Sequence, residues 1–417
     1  MTSSKQLIHS PKLTSSIRLA NKLGSGLDAL GMRLGDLSEE TVLEEARRKT
    51  GLEDLGDERF RIPLKALLDS YENDPDLTFV GRLLAQRMMI HLVANRLKIN
   101  HDLQQYPEIL SGEIHRPLFV VGLPRSGTTL LYNLLAQDPD SRPLLFWESM
   151  SPSPPPDPRT RDRDPRIKTA EQTVSKLNRA VPSLPAIHEM DPRGPDECLG
   201  LLYNTFVTPF FRGKLPRYRR WLYEIGDDEL TATYQEYRNQ LLLLQWRCSE
   251  DHWVLKCPSH LFGLSALLSV FPDGCVIQTH RDPAKAVPSL CSLSAALDGM
   301  SYQTVNMQEV GQRIVKIIEQ LVNRSMRARE ESDSERIYDV HYQDLVKSPL
   351  ATVQQIYAHF GYRYDAALEH RLKAYLRANP QHKHGVHRYS LDDFGLDGQA
   401  LRSLFAGYCD RLRINLE

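Results

Sequence analysis

Residues 118–137, LFVVGLPRSGTTLLYNLLAQ, contain the pattern that decides the fold. Residues 118–121 form an unbroken apolar run, which is typical of a strand buried on both faces of a sheet. Residues 122–127, GLPRSG, favour a tight turn, and from Thr128 onward the apolar residues follow a helical period. The sequence therefore predicts a strand, a glycine-bounded loop and a helix N-terminus, where free amides and the helix dipole favour an anion.

The spacing of the two glycines is that of a nucleotide triphosphatase loop, but the basic residue stands elsewhere. Such a loop needs Lys directly after the second Gly to reach the β- and γ-phosphates. Here Thr128 occupies that position and the basic residue is Arg125. A guanidinium with neighbouring hydroxyls suits a short anion better than a magnesium-bound triphosphate. We expect the anion to be bound by Arg125, Ser126, Gly127, Thr128 and Thr129; a turn without any ligand is the alternative.

The composition is that of a globular protein. The chain has 417 residues, 41% of them apolar and 25% charged, enough for one large or two ordinary domains. Its net charge of −1 argues against general nucleic-acid binding. The six Cys form no C-x-x-C, so neither a zinc site nor a disulfide framework is indicated. No signal peptide and no run of about 18 apolar residues is found, which predicts a cytoplasmic chain without a membrane segment.

The order of predicted elements indicates an α/β fold. Residues 1–110 are predicted to be a helical extension, with one long helix over 77–97, and residues 111–417 to be the main domain. The extension is expected to pack as a cap on that domain, with a part in ligand binding as the alternative. The charged stretch 159–168 is expected to be solvated. Alternating helices and strands favour a parallel, P-loop-like sheet flanked by helices, with strands over 118–121, 143–147, 253–255, 275–278 and 337–340.

Side chains that can bind a ligand through charge or hydrogen bonds follow four of these strands. Arg125, Lys256, Arg281 and Tyr342 all stand at or just beyond a predicted strand end. Ligands of parallel sheets gather at the carboxyl ends of the strands. We therefore expect a single ligand to contact all four side chains.

Several motifs resemble those of sulfotransferases that use 3′-phosphoadenosine 5′-phosphosulfate (PAPS). The segment PRSGTT, residues 124–129, is similar to their 5′-phosphosulfate loop, as found in tyrosylprotein and bacterial small-molecule members. The pair Arg281 and Ser289, eight residues apart, resembles their 3′-phosphate site. The resemblance extends over about residues 117–361, and it implies that these segments bind PAPS.

Two further segments add to this resemblance. Residues 340–345, VHYQDL, are similar to the family's Tyr-Glu-Asp-Leu segment, which implies that Tyr342 contacts the adenine. Lys383, His384 and Gly385 resemble the loop that closes over the 3′-phosphate, with His where Lys is usual. That His carries a full positive charge only when protonated.

The resemblance also implies residues for the transfer step. Lys256, in LKCPSH, would donate to the bridging oxygen and stabilise the charge on the departing phosphate; a lysine held in a salt bridge at the sheet edge is the alternative. Three residues are open as the general base. Glu148 stands after the second predicted strand, as in tyrosylprotein-type members. His260 follows Lys256 by four residues, and His188 lies in the irregular stretch 182–197.

The implied activity is transfer of a sulfuryl group from PAPS to a hydroxyl of a small-molecule or lipid acceptor. No metal is implied, because guanidinium, lysine and backbone amides do the neutralising that magnesium does in kinases. The loops 151–158 and 182–197 are expected to line the acceptor pocket, while the acceptor and the oligomeric state stay open. A P-loop kinase-like phosphotransferase and a catalytically silent nucleotide-binding protein are the alternatives.

Overall fold

The computed structural model describes residues 8–9, 15–29, 34–248, 250–380 and 389–417. Its strands are β1 Ile8–His9, β2 Leu118–Gly122, β3 Ser141–Pro143, β4 His252–Lys256, β5 Cys275–His280, β6 Val305–Asn306 and β7 Ile337–His341. Short 3₁₀ turns occupy Glu58–Phe60, Pro107–Ser111, Arg161–Arg163, Pro258–Leu261, Ser334–Arg336 and Asp392–Phe394.

Helices make up most of the rest of the described chain. Before the sheet stand α1 Ser15–Ala29, α2 Glu39–Thr50, α3 Arg61–Glu72 and α4 Phe79–Gln105. From β2 onward they are α5 Thr128–Leu135, α6 Phe146–Met150, α7 Pro165–Ala180, α8 Leu184–Ile187, α9 Leu199–Tyr203, α10 Pro216–Glu224, α11 Asp227–Gln245, α12 Leu264–Val270, α13 Pro283–Asp298, α14 Met307–Glu331, α15 Tyr342–Lys347, α16 Pro349–Phe360, α17 Ala366–Ala378, α18 Gly398–Leu404 and α19 Ala406–Arg411. Within the described ranges, no helix combines the length and the apolarity that crossing a bilayer demands.

The main sheet has five parallel strands in the order β3-β4-β2-β5-β7. All five residues of β2 are buried, as its apolar run predicts, because helices cover both faces of the sheet. In register, Gly122 of β2 is paired with Thr279 of β5, and His280 with His341 of β7. The predicted α/β class and parallel sheet are confirmed. The carboxyl ends of the strands therefore meet at one edge.

The second predicted strand is wrong in its position. The strand β3 ends at Pro143, and residues 146–150 are helical. Proline lacks the N–H that would extend a ladder. The carboxylate of Glu148 accepts a hydrogen bond from the backbone N–H of Leu145 at 3.2 Å, which starts the helix α6. Glu148 thus lies in the first turn of a helix and does not end a strand.

The N-terminal helices share one hydrophobic core with the sheet. Ser38 caps α2, its Oγ accepting from the N–H of Thr41 at 3.3 Å, and Gly51 ends that helix in the left-handed conformation. The long helix α4 begins and ends later than the sequence predicts, and its buried residues join one continuous cluster with the buried side chains of β2, β4, α11 and α14. A second cluster lies on the other face of the sheet, beneath α5, α16 and α17. The division of the chain at residue 110 stays a prediction.

Candidate active site

The loop between β2 and α5 has a backbone that restricts its sequence. Arg125 has φ 71° and Gly127 has φ 92°, both in the left-handed region. A Cβ on Gly127 would lie 2.9 Å from Cδ2 of Leu345 and 3.1 Å from Cδ2 of Tyr342. Only glycine therefore fits, and the loop packs closely against the start of α15. Strained, non-glycine backbone such as that of Arg125 is often found where a ligand binds.

Ser126 fixes the loop to the sheet. Its buried hydroxyl donates to the carbonyl of Leu123 at 2.6 Å and lies 2.5 Å from Oγ1 of Thr279, on the neighbouring strand β5. The Ser126 side chain consequently faces the sheet. The residues of the loop that line the adjoining cavity are Pro124, Arg125, Gly127, Thr128 and Thr129. A contact of Ser126 with PAPS stays a prediction.

The strand ends meet at a cavity of about 760 Å³. Arg125, Arg281 and Tyr342 all line it. Lys256, the last residue of β4, is buried directly behind the lining, and its Nζ donates to Oε1 of Glu197, a lining residue, at 2.6 Å. The structure therefore brings the four residues that follow the predicted strands to one edge of the sheet.

The contacts of Arg281 orient its guanidinium so that it can bind an anion. Its guanidinium stacks over the ring of Tyr342 at 4.0 Å, and its Nη1 donates to the carbonyl of Arg125 at 3.1 Å. Its Nε and Nη2 each donate to a carboxylate oxygen of Glu417 at 2.9 Å. Ser289, buried on α13, lines the same cavity. The carboxylate of Glu417 occupies the position at which an anionic ligand would bind Arg281, so Arg281 and Ser289 fit a phosphate group.

Three predicted residues of the closing loop, Lys383, His384 and Gly385, lie outside the described residues. Their contact with a 3′-phosphate stays a prediction.

The three sequence-predicted bases lie in different surroundings. His188 lines the cavity, and burial lowers its pKa, an effect that the carboxylate of Glu197 opposes only in part. His260 is fully buried outside the lining, with Nδ1 3.0 Å from the hydroxyl of Tyr234, and burial lowers its pKa to about 3. The structure thus brings only His188 of the three into the cavity lining, which Glu148 does not join.

Glu148 is buried in a network of arginines. Its Oε1 accepts from Nη2 of Arg142 and from Nε of Arg161, each at 3.1 Å. Arg142 also donates to the carbonyl of Leu244 and stacks over the ring of Trp253 at 4.0 Å. These contacts give Glu148 a structural partner on each side.

The expectation that residues 159–168 are solvated is correct for Arg159 and Arg163, whose side chains are exposed. It is wrong for Arg161, which is 21% exposed and pairs with Glu148 and Glu250.

Two acidic residues that the sequence reasoning did not single out stand at the cavity. Asp196 and Glu197 both line it, next to the buried ammonium of Lys256. Burial alone would raise the pKa of Glu197, but Lys256 and His188 together lower it by more, so the net pKa lies below the usual value. The only sequence signal is their place at the end of the stretch 182–197, which is predicted to line the acceptor pocket. That stretch reaches the cavity through Leu184, Ile187, His188, Met190, Asp196 and Glu197.

Comparison with known proteins decides the family. A model of the sulfotransferase family matches residues 117–366. The chain belongs to the sulfotransferase family. The chain is 32% identical in sequence to sulfotransferase STF9 from Mycobacterium avium. The crystal structure of STF9 matches this fold with a TM-score of 0.81, over 91% of this chain and 98% of that one. Sulfotransferase STF1 from Mycobacterium tuberculosis H37Rv is 30% identical, with a TM-score of 0.76 over 89% of this chain and 99% of that one.

A more distant relative carries a name that specifies an acceptor. Omega-hydroxy-beta-dihydromenaquinone-9 sulfotransferase Stf3 of Mycobacterium bovis is 26% identical over 284 residues, which are 66% of this chain and 70% of that protein. The same name and the same match hold for the protein of Mycobacterium tuberculosis.

The remaining walls of this sulfotransferase's cavity are largely apolar. They come mainly from the N-terminal helix α4, from α6 to α9, and from α13 and α14. The apolar lining residues include Met88, Leu92, Leu130, Phe146, Met150, Leu177, Leu184, Ile187, Met190, Leu199, Phe210, Phe211, Leu290, Leu293, Leu297, Ile314, Ile317, Val346 and Leu376. The lining includes none of residues 151–158, all of which the structure describes, so the expectation for that loop is wrong; the chain turns away after Met150.

Proposed function

We propose that this sulfotransferase moves a sulfuryl group from PAPS to a hydroxyl of an apolar, lipid-like acceptor, releasing adenosine 3′,5′-bisphosphate. One observation carries the proposal. A single cavity is lined by five residues of the loop 124–129, all but Ser126, together with Arg281 and Ser289, and by the apolar side chains of helices. A site of this kind suits an anionic donor and a hydrophobic acceptor that meet at one point.

The donor is the co-substrate of this reaction and supplies the sulfuryl group. The loop 124–129 would bind the phosphosulfate through amides, hydroxyls and the guanidinium of Arg125. Arg281 and Ser289 would hold the 3′-phosphate, and Tyr342 would contact the adenine. Lys256 would stabilise the negative charge that develops on the departing phosphate.

The walls of the cavity support an apolar class of acceptor. Helix α4 contributes Met88 and Leu92, and α13 and α14 contribute further aliphatic side chains. A buried ion pair between Arg313 and Asp298 also lines the cavity and offers a polar contact within these walls. The name of the relative Stf3 specifies a hydroxylated menaquinone derivative. We therefore propose a long apolar molecule with a terminal hydroxyl as the acceptor.

Calorimetry and transfer assays test this function together. We expect adenosine 3′,5′-bisphosphate, measured with a chelator, to bind at least about tenfold more tightly than ATP measured in a magnesium buffer without the chelator, because only the bisphosphate has both phosphates in place. Labelled PAPS should then transfer to an omega-hydroxylated menaquinone or to hexadecan-1-ol in preference to a sugar. Tighter binding of magnesium ATP would contradict the donor, and preference for the sugar would contradict the acceptor class.

Replacing Arg281 with alanine should weaken binding of adenosine 3′,5′-bisphosphate by about 10–100-fold, the equivalent of roughly 1.5–3 kcal/mol for charge-assisted hydrogen bonds. Binding of AMP, which lacks the 3′-phosphate, should change by less than about threefold for the same reason. Titration calorimetry on both ligands measures the difference. Equal losses for the two ligands would mean that Arg281 supports the loop through the carbonyl of Arg125 and not a phosphate.

The matched control is Glu417→Gln. The carboxylate of Glu417 competes for the Nε and Nη2 donors of Arg281, so removing its charge should strengthen bisphosphate binding while AMP binding stays unchanged. Unchanged binding of the bisphosphate in this variant would mean that the two anions do not share Arg281.

A further inference from the structure

The chain segment that carries Asp196 and Glu197 is fixed at both ends. The carbonyl of Gly194 accepts from the N–H of Phe146 at 3.0 Å, and the N–H of Asp196 donates to the carbonyl of Leu144 at 2.8 Å. Beyond them, the N–H of Cys198 donates to the carbonyl of Lys256 at 2.9 Å. These bonds hold the two carboxylates against the end of β4, where both line the cavity.

The carboxylates have different neighbours. Glu197 is bound to the ammonium of Lys256 at 2.6 Å. Among the described residues, the carboxylate of Asp196 has one side-chain hydrogen bond, a long one of 3.4 Å from the hydroxyl of Ser149, and it also accepts from the backbone N–H of Glu197. One acid is therefore committed to the lysine, while the other faces the cavity with capacity to accept a hydrogen bond.

We propose that Asp196 accepts the proton of the acceptor hydroxyl and that Glu197 is a positioning residue that holds the side chain of Lys256 at the sheet edge. This inference rests on the proposed function. It adds a fourth proton acceptor to Glu148, His260 and His188, and it assigns the role to a residue that lines the cavity beside Lys256.

The electrostatics of the pair agree with these roles. Burial raises the pKa of Asp196 to about 6, with Glu197 adding to the shift and Lys256 opposing it. Two further titratable groups interact with these side chains: Tyr132, from α5, with Asp196, and His188 with Glu197 and Lys256. Burial raises the pKa of Tyr132, which keeps its hydroxyl protonated, and lowers the pKa of His188. Paired acids whose environments move their pKa values apart are typical of acid–base sites. Asp196 is thus ionised at neutral pH and yet more basic than an exposed aspartate.

Transfer to an alcohol begins at the acceptor hydroxyl. Its proton passes to a carboxylate oxygen of Asp196 while the acceptor oxygen bonds to sulfur. The bond between sulfur and the bridging oxygen breaks, and its electron pair stays on the phosphate oxygen of the leaving bisphosphate. Lys256 stabilises that negative charge, and Asp196 later releases its proton to water.

The first test is a binding measurement that needs no acceptor. An anionic ligand in the cavity raises the pKa of a nearby carboxylate, so on binding adenosine 3′,5′-bisphosphate near pH 6 that carboxylate should take up protons, over and above the protons that the ligand's own phosphates exchange. Calorimetry in buffers of different ionisation enthalpy measures that uptake. It should be reduced in Asp196→Asn and unchanged in Asp162→Asn, an exposed aspartate outside the cavity. Equal uptake in the wild type and Asp196→Asn would overturn the proposal.

The second test compares two acceptors. With hexadecan-1-ol, Asp196→Asn should lower kcat by about 10²–10⁴. The wild type should lose activity below about pH 6, whereas the residual activity of the variant should not fall in that range. With 4-nitrophenol, already ionised in mildly alkaline buffer, the variant should keep most of its activity because no proton has to be removed. In Glu197→Gln, transfer to both acceptors should be slower, and the activity on the alcohol should still fall below about pH 6.

The outcomes separate this inference from the function on which it rests. A wild-type protein that fails to bind the bisphosphate contradicts the proposed function itself. A wild type that binds it, together with an Asp196→Asn variant of normal turnover on the alcohol, contradicts only the role of Asp196. A loss of about 10²–10⁴ in His188→Ala without one in Asp196→Asn would assign the proton to His188 instead.

Discussion

Replacing Lys256 with methionine should lower kcat by about 10²–10³ while the affinity for adenosine 3′,5′-bisphosphate changes little. Removing one preorganised donor to a developing negative charge has an effect of this size on turnover. The contact strengthens only as the bond to the bridging oxygen breaks, so binding of the product should be nearly indifferent to it. Steady-state kinetics and calorimetry on the same preparation give the two numbers.

The Lys256 result needs a control because the lysine is buried. Its side chain is 4% exposed and paired with Glu197, so its loss leaves a carboxylate without its cation. The double variant Lys256→Met with Glu197→Gln removes both charges and should regain stability without regaining turnover. Recovery of turnover in the double variant would show that the lysine serves only to neutralise Glu197.

Replacing Glu148 with alanine should lower the free energy of unfolding by about 3–5 kcal/mol, because it leaves a buried guanidinium without its counter-ion. The Arg142 side chain is 2% exposed, and Glu148 is fully buried between it and Arg161. Urea unfolding followed by fluorescence measures the change. An unfolding midpoint and slope equal to those of the wild type would mean that the hydrogen bond to the carbonyl of Leu244 is enough to stabilise the buried guanidinium of Arg142.

The chain offers a matched control for this prediction. Glu250 binds the same Arg161 at 2.9 Å but is partly exposed, so Glu250→Ala should cost no more than about 1 kcal/mol. The isosteric Glu148→Gln keeps most hydrogen bonds and separates stability from chemistry. Near-normal turnover in folded Glu148→Gln would remove Glu148 from the possible bases.

The part of the site formed by the loop 124–129, Lys256 and Arg281 is accessible to sequence reasoning because these residues follow strand ends. An apolar run identifies β2, and the same rule leads to Lys256 and Arg281 at the ends of β4 and β5. Parallel strands bring such positions together whatever the helices between them do. The motifs PRSGTT and the spacing of Arg281 to Ser289 then restrict the chemistry.

The part of the cavity formed by residues 182–197 was not accessible in the same way. Asp196 and Glu197 reach the cavity because three backbone hydrogen bonds attach an irregular segment to β4 and residues 144–146, and no sequence period reports such bonds. Glu148 was misplaced for a related reason. Its partner Arg161 lies in a charged stretch that resembles solvated surface, and burial of a charge depends on partners distant in the chain.

The core that the N-terminal helices share with the sheet also determines how the protein should respond to heat. Because α2 and α4 bury their side chains in the same cluster as β2 and β4, we expect the helices and the sheet to melt in one cooperative transition. A ligand that binds only the native state at about 100 times its Kd adds about 2.7 kcal/mol to that transition. A donor bound at the edge of the sheet therefore raises the melting temperature of the entire chain, and thermal-shift screening can identify it before any acceptor is known.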